Sequence, residues 1–199
     1  MIMACHFRLG DLKYKDMYKS YGITNIEVRH LKIKTNTADI SFIGKKGVKN
    51  DCDLDDVNVI NHLKNMIHGK DKKDPVFTYN TGDCIEHVRA TDVNEWMRAL
   101  GVNITSKMFR TYATNIMLIE LCRAMGNPEK DTISQRKKNL NGILDGVSSM
   151  VHNTRAVCKK EYIHPDLTEM YVNNPRKFKN KFMGADDPDK AFLTYLKSL

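Results

Sequence analysis

The chain has 199 residues, 41% of them apolar, and 32 Lys and Arg against 24 Asp and Glu give a formal net charge of +8. That length supports one substantial core, or a core with a small appendage. The basic excess favours an anionic partner, of which nucleic acid is the commonest, and no apolar run approaches the roughly 18 residues that a membrane span needs.

The chain opens on "MIMACHFRLG". This stretch has no N-cap and no turn chemistry ahead of it, so it reads as the middle or end of a helix whose preceding part is missing. It is too short and too poor in basic residues for a signal peptide. Residues 24–53 alternate apolar and polar side chains through Ile26, Val28, Leu31, Ile33, Ile40 and Phe42. Turns at Asn36-Thr37 and at Gly44-Lys45-Lys46-Gly47 divide the run into a three-stranded antiparallel meander. The remainder, residues 55–199, reads as a helical core. Val59, Ile60, Leu63, Met66 and Ile67 mark one amphipathic helix, stopped at Gly69. A second opens on Asp92 with Glu95 in a capping box, carries Val93, Trp96, Met97 and Leu100 as its apolar stripe, and stops at Gly101. A long helix spans residues 106–125, and another spans 131–151 with Ile133, Leu140, Leu144, Val147 and Val151 facing inward. After a break at His152-Asn153 a short helix carries Tyr162 and ends near Pro165. A polar, basic tail finishes in the amphipathic "DKAFLTYLKSL". The expected fold class is therefore α+β and mostly α.

Five cysteines, Cys5, Cys52, Cys84, Cys122 and Cys158, are odd in number and widely spaced, without a C-x-x-C pair. That pattern argues against a zinc site and against a disulfide framework, and points to a reduced intracellular compartment. Nucleotide-binding glycine loops, H-E-x-x-H and G-x-S-x-G are all absent from the sequence. What stands out is basic residues at the ends of elements: Arg8, Lys45, Lys107 and Arg110. Arg110 lies between Phe109 and Tyr112 in a helix that should be buried on one face. An arginine there needs an anion, either a nearby carboxylate or a phosphate ligand.

Four segments, "FRLGDLKY", "GKKG", "SKMFRTYATN" and "NTRAVCKKEY", resemble in order the active-site segments of type IB DNA topoisomerases, nearest the small viral and bacterial forms. The resemblance covers essentially the whole chain and implies the catalytic core shared with tyrosine recombinases. It implies that Tyr162 is the nucleophile, forming a 3′-phosphotyrosyl bond. Arg8 and Arg110 would clamp the scissile phosphate, and Lys45 would protonate the departing 5′-oxygen. Lys107, Tyr14 and Asn115 would lie near the phosphate or the DNA. The residue types suit these roles. Arginine offers a planar fork of donors that keeps its charge, lysine can give up a proton, and a phenol with an ordinary pKa near 10 needs cationic neighbours to attack at neutral pH.

The family often places histidine where this chain has Asn153, a neutral donor; His152 is one residue out of register. Asp11 stands where relatives often carry a basic residue. An N-terminal domain and the first helices of the catalytic domain are also expected to be missing. The resemblance implies no cofactor, duplex DNA as partner, a monomer, and a place with DNA inside a cell, viral factory or virion. A tyrosine recombinase or integrase is the first alternative, and the amphipathic C-terminal stretch suits the helix such enzymes donate to a neighbour. Lys107, where recombinases usually have histidine, favours the topoisomerase. A catalytically silent DNA-binding fragment is the second alternative.

Overall fold

The alternation in the N-terminal half forms the expected meander: β1 (Leu31–Ile33), β2 (Ala38–Ile43) and β3 (Lys49–Leu54), paired antiparallel in that order. The register sets Leu31 opposite Ile40 and Ala38 opposite Leu54. Side chains on a strand alternate between faces. Leu31, Ala38, Ile40, Phe42 and Leu54 therefore share the buried face and pack with Phe7, Ile26, Ile60, Leu63 and Val76. In this computed structural model, residues 1–101 and 103–199 are described. They divide into two compact units, Met1–Arg110 and Thr111–Leu199. No helix among the described residues is long and apolar enough to cross a membrane.

The first unit holds the meander, α1 (Leu12–Tyr18), α2 (Val57–Ile67) and α3 (Ala90–Ala99). It also holds a small hairpin, β4 (Thr78–Asn80) and β5 (Ile85–His87), where only helix was expected. Residues 24–30 form two short 3-10 turns and no strand. The opening stretch is a turn, with the Cys5 amide donating to the Met1 carbonyl at 2.9 Å, and does not continue as a helix. Cys5 and Phe7 are held in the sheet's core, and side-chain burial sets their backbone. α3 starts before Asp92, because the Asp92 carboxylate accepts from the Arg89 amide and caps the first turn. On its expected apolar stripe Met97 is buried, while Trp96 is 64% exposed.

α4 (Ser106–Ala124) runs on into the second unit, which adds α5 (Ile133–Met150), α6 (Arg155–Glu161), α7 (Pro165–Asn173), α8 (Pro175–Phe178) and α9 (Pro188–Leu196). Leu118, Ile119, Leu140, Leu144, Val147, Val151, Tyr171, Phe178, Phe182 and Phe192 build its core. Ile133, expected to face inward, is exposed at the first turn of α5. Arg136 is buried in its place and donates to the carbonyls of Val172 (2.7 Å), Pro128 (3.2 Å) and Asp131. Pro165 opens α7 and does not merely end α6; at the first helical position its missing N–H costs nothing. The C-terminal helix packs in its own unit. Phe192 and Tyr195 of α9 are buried, and the Tyr195 hydroxyl donates to Asp166 of α7. That arrangement removes the main sequence argument for a helix donated to a neighbour.

The cysteine expectation is corrected. Cys5 and Cys52 form a disulfide with Cα atoms 5.5 Å apart, while Cys84, Cys122 and Cys158 are free. Spacing along the chain gave no hint, because β3 folds back beside the opening turn only in three dimensions. The bridge closes a loop over a sequence separation of 47. Chain-entropy reasoning gives such a cross-link roughly 4 kcal/mol at most, with measured values often lower. Reduction should therefore lower the urea unfolding midpoint, by about 2–4 kcal/mol of stability. An unchanged midpoint after complete reduction would contradict a formed bridge.

Candidate active site

The segment carrying Arg8 has no sheet partner, so its backbone is fixed by other means. The Ile23 amide donates to the Arg8 carbonyl at 2.8 Å. The Thr24 hydroxyl accepts from the Gly10 amide at 2.9 Å and donates to the Gly10 carbonyl at 3.0 Å. Asn25 accepts from the Gly22 amide at 2.7 Å and donates to the Asp11 carbonyl at 3.1 Å. Thr24 and Asn25 are both buried, so the bonds to Gly10 and Gly22 are shielded from water. Gly10 is required by this approach, since a Cβ there would lie 2.2 Å from the Asn25 amide oxygen.

Lys45 sits at the tip of the β2–β3 hairpin, in a 3-10 turn. The tip closes through the Gly44 amide, which donates to the Val48 carbonyl at 2.7 Å. Lys46 follows in the left-handed region at φ 63°. Buried Asn50 donates to the same Val48 carbonyl at 2.9 Å. The lysine side chain is exposed on a braced backbone.

Arg8, Tyr14 and Lys45 meet at one cleft of about 200 Å³, lined also by Gly10, Asp11, Tyr21 and Asn50. Three of the residues singled out in the sequence thus share a concave surface within the first unit. Asp11 lies there as well and caps α1, accepting from the Lys13 amide at 2.9 Å. Tyr21 bears on buried Glu27, which pairs with Lys15 at 3.0 Å and Arg29 at 2.6 Å. Burial pushes the Glu27 carboxyl up, but the hydrogen bonds and charges of Lys15 and Arg29 win and hold it below its usual value.

On α4, Lys107 is exposed and Arg110 is buried, 2% exposed. Asn115, expected near the phosphate or the DNA, lies against the backbone of the turn that carries Tyr162. It is buried, and its amide is committed to protein backbone: it donates to Tyr162 O and Thr111 O, each at 2.8 Å, and accepts from the His164 amide at 2.7 Å. Tyr162 is the residue that ends α6, with its amide on the Cys158 carbonyl at 3.0 Å, and is 7% exposed. Thr154, not Asn153, caps α6. Asn153 lies just ahead, its side chain donating to the Val151 carbonyl at 3.3 Å.

The supports Thr24, Asn25 and Asn50 were not found in the sequence. The available signal was polar residues inside an apolar run, "ITNIEV", with glycines placed close by.

Within the first unit Lys45 and Arg8 line one cleft, and within the second the short α6 is capped by Tyr162. Residues 1–187 match the family described as the catalytic core of eukaryotic DNA topoisomerase I, and the chain belongs to that family. Among curated relatives, it is 29% identical over 216 aligned residues to DNA topoisomerase 1B of Acanthamoeba polyphaga mimivirus. That alignment covers all of this chain and 60% of the mimivirus protein, so the chain spans about three fifths of the relative's length.

If the cleft depends on the Gly10 contact, Gly10→Ala should cost about 1–3 kcal/mol, as overpacked sites do. A variant with wild-type melting would show that the Arg8 segment does not need this contact.

Proposed function

We propose that the chain relaxes supercoiled duplex DNA by cutting and resealing one strand through Tyr162. The observation that carries this proposal is the cleft shared by Arg8 and Lys45 in a chain of the topoisomerase I core family. The Tyr162 oxygen attacks the scissile phosphorus and its phenolic proton passes to solvent. The P–O5′ bond breaks, Lys45 gives a proton to the departing 5′-oxygen, and a 3′-phosphotyrosyl bond remains. Arg8 and Arg110 supply donors to the non-bridging oxygens, where charge accumulates in the transition state. Asn153 takes the place often held by histidine and contributes a neutral donor. Lys107 and Tyr14, both exposed, hold the DNA near the phosphate. The strand swivels while the break is open, and the 5′-hydroxyl then reverses the reaction.

One phosphodiester is exchanged for another, so the covalent intermediate stores the bond and the scheme draws on neither ATP nor a metal. The partner is duplex DNA, bound by a monomer chiefly through phosphates and therefore more weakly as salt rises. The site of action is wherever that DNA is kept, within a cell, a viral factory or a virion. The mimivirus relative makes a viral setting the natural one.

Supercoiled plasmid incubated with the protein in EDTA, without ATP, and quenched with SDS should yield relaxed topoisomers and a protein–DNA adduct. Tyr162→Phe should abolish both while DNA binding persists. Arg8→Ala and Arg110→Ala should each slow cleavage by about 10²–10³-fold, the usual loss of a transition-state donor. Lys45→Ala should slow it by about 10²–10⁴-fold, the usual contribution of a general acid. DNA binding with no adduct from the wild-type chain would favour the silent binding module. Strand exchange confined to a defined site would favour a recombinase.

A further inference from the structure

We propose that Asn115 is a positioning residue that fixes the turn presenting Tyr162, an assignment that rests on the cleavage chemistry proposed above. The turn joins α6 to α7 through Tyr162, Ile163 and His164. Two backbone groups of this turn are held by one side chain from α4. One is the Tyr162 carbonyl, among the last four of α6, which no later amide of that helix can reach. The other is the His164 amide, just before Pro165 opens α7.

Asn115 answers both from a single planar group. Its Nδ2 donates to Tyr162 O at 2.8 Å and its Oδ1 accepts from His164 N at 2.7 Å. The second Nδ2 hydrogen serves the Thr111 carbonyl of α4, also at 2.8 Å. Both donors and the acceptor are in use, and the residue is 2% exposed. Only one orientation of the amide satisfies a carbonyl at one side and an N–H at the other, so its sense is fixed by its neighbours. Asparagine is the side chain that supplies donor and acceptor over this span. Aspartate keeps the acceptor and loses the donors, and leucine keeps the shape and loses both.

The consequence bears on chemistry. The phenol can attack in line only if the backbone that carries it is held, and a misplacement of about 1 Å in a reacting group can cost ~10²-fold in rate. On its own helix the Tyr162 amide donates to the Cys158 carbonyl at 3.0 Å. Asn115 supplies the anchor on the other side, from the core of the second unit.

The test is single-turnover cleavage at saturating DNA, using a duplex whose 5′-strand dissociates after the cut. The rate constant, the reacting fraction, DNA affinity and the melting temperature are recorded for wild type, Asn115→Ala, Asn115→Asp and Asn139→Ala. Asn139 bonds Asp131 at 3.0 Å and serves as a control for lost stability alone. Asn115→Ala should slow the rate constant by about 10–100-fold within the reacting fraction, as expected for a misplaced nucleophile, with DNA affinity unchanged. Amide exchange at His164 should accelerate in parallel. Asn115→Asp should recover part of the rate through the retained acceptor, and it stands in if the alanine variant fails to fold. Asn139→Ala should melt earlier and cleave at the wild-type rate constant. Asn115 variants that cleave at the wild-type rate constant, losing only melting temperature or reacting fraction, overturn this assignment and leave the proposed function intact. A wild-type chain that forms no adduct overturns the proposed function, and the assignment with it.

Discussion

Arg8 and Lys45 line one small cleft, and cations gathered on one concave surface favour an anionic ligand there. The fold must hold them there before any ligand arrives. Neither residue is in a regular helix or strand that would do so: Arg8 lies in an irregular segment ahead of α1, and Lys45 in a hairpin tip. The work falls to buried polar side chains. Thr24 and Asn25 grip the backbone on both sides of Gly10, and Asn50 closes the hairpin turn. The Cys5–Cys52 bridge ties the Arg8 segment covalently to β3, the strand that leaves the same hairpin. Each device fixes backbone in the segments that carry the two cations.

That economy recurs in the second unit. A short α6 of seven residues ends on Tyr162, and a helix so short has little stability of its own. Its register comes from Thr154 at one end, from buried Cys158 in the middle, and from Asn115 beyond the other end. The helices around it are fixed by similar means. Arg136 joins α5 to three carbonyls, and the Tyr195 hydroxyl joins α9 to Asp166 at the start of α7. Burial, followed by the hydrogen bond to Asp166, pushes the Tyr195 phenol up to about 12, which keeps it a donor.

The sheet and the longer helices were legible because their periodicity is local. Ile40 and Phe42 alternate along β2, and Leu140, Leu144 and Val147 repeat along α5. α1 was not legible, since none of its residues is buried and a helix without an apolar face leaves no periodic trace. α7 was hidden by Pro165, which marks a helix start as readily as a stop. The Trp96 stripe misled because an apolar stripe shows what a helix can bury and not what covers it. Arg8, Lys45 and Arg110 stood out as basic residues at element ends, and an ordered set of motifs joined them to Tyr162. The disulfide and the bonds of Asn115 were invisible, because their partners lie 47 and 49 residues away and meet only after folding.

The central claim is that Tyr162 becomes covalently attached to DNA. The most direct measurement is to trap the adduct with SDS, digest DNA and protein, and sequence the modified peptide by mass spectrometry. Trypsin releases residues 161–176, which contain both Tyr162 and Tyr171. Tyr171 is buried in the helical core, 1% exposed, and serves as an internal control. A nucleotide remnant on Tyr162 and none on Tyr171 is the predicted result. A remnant on any other residue, or DNA cut without a covalent remnant, would contradict the assignment of the nucleophile.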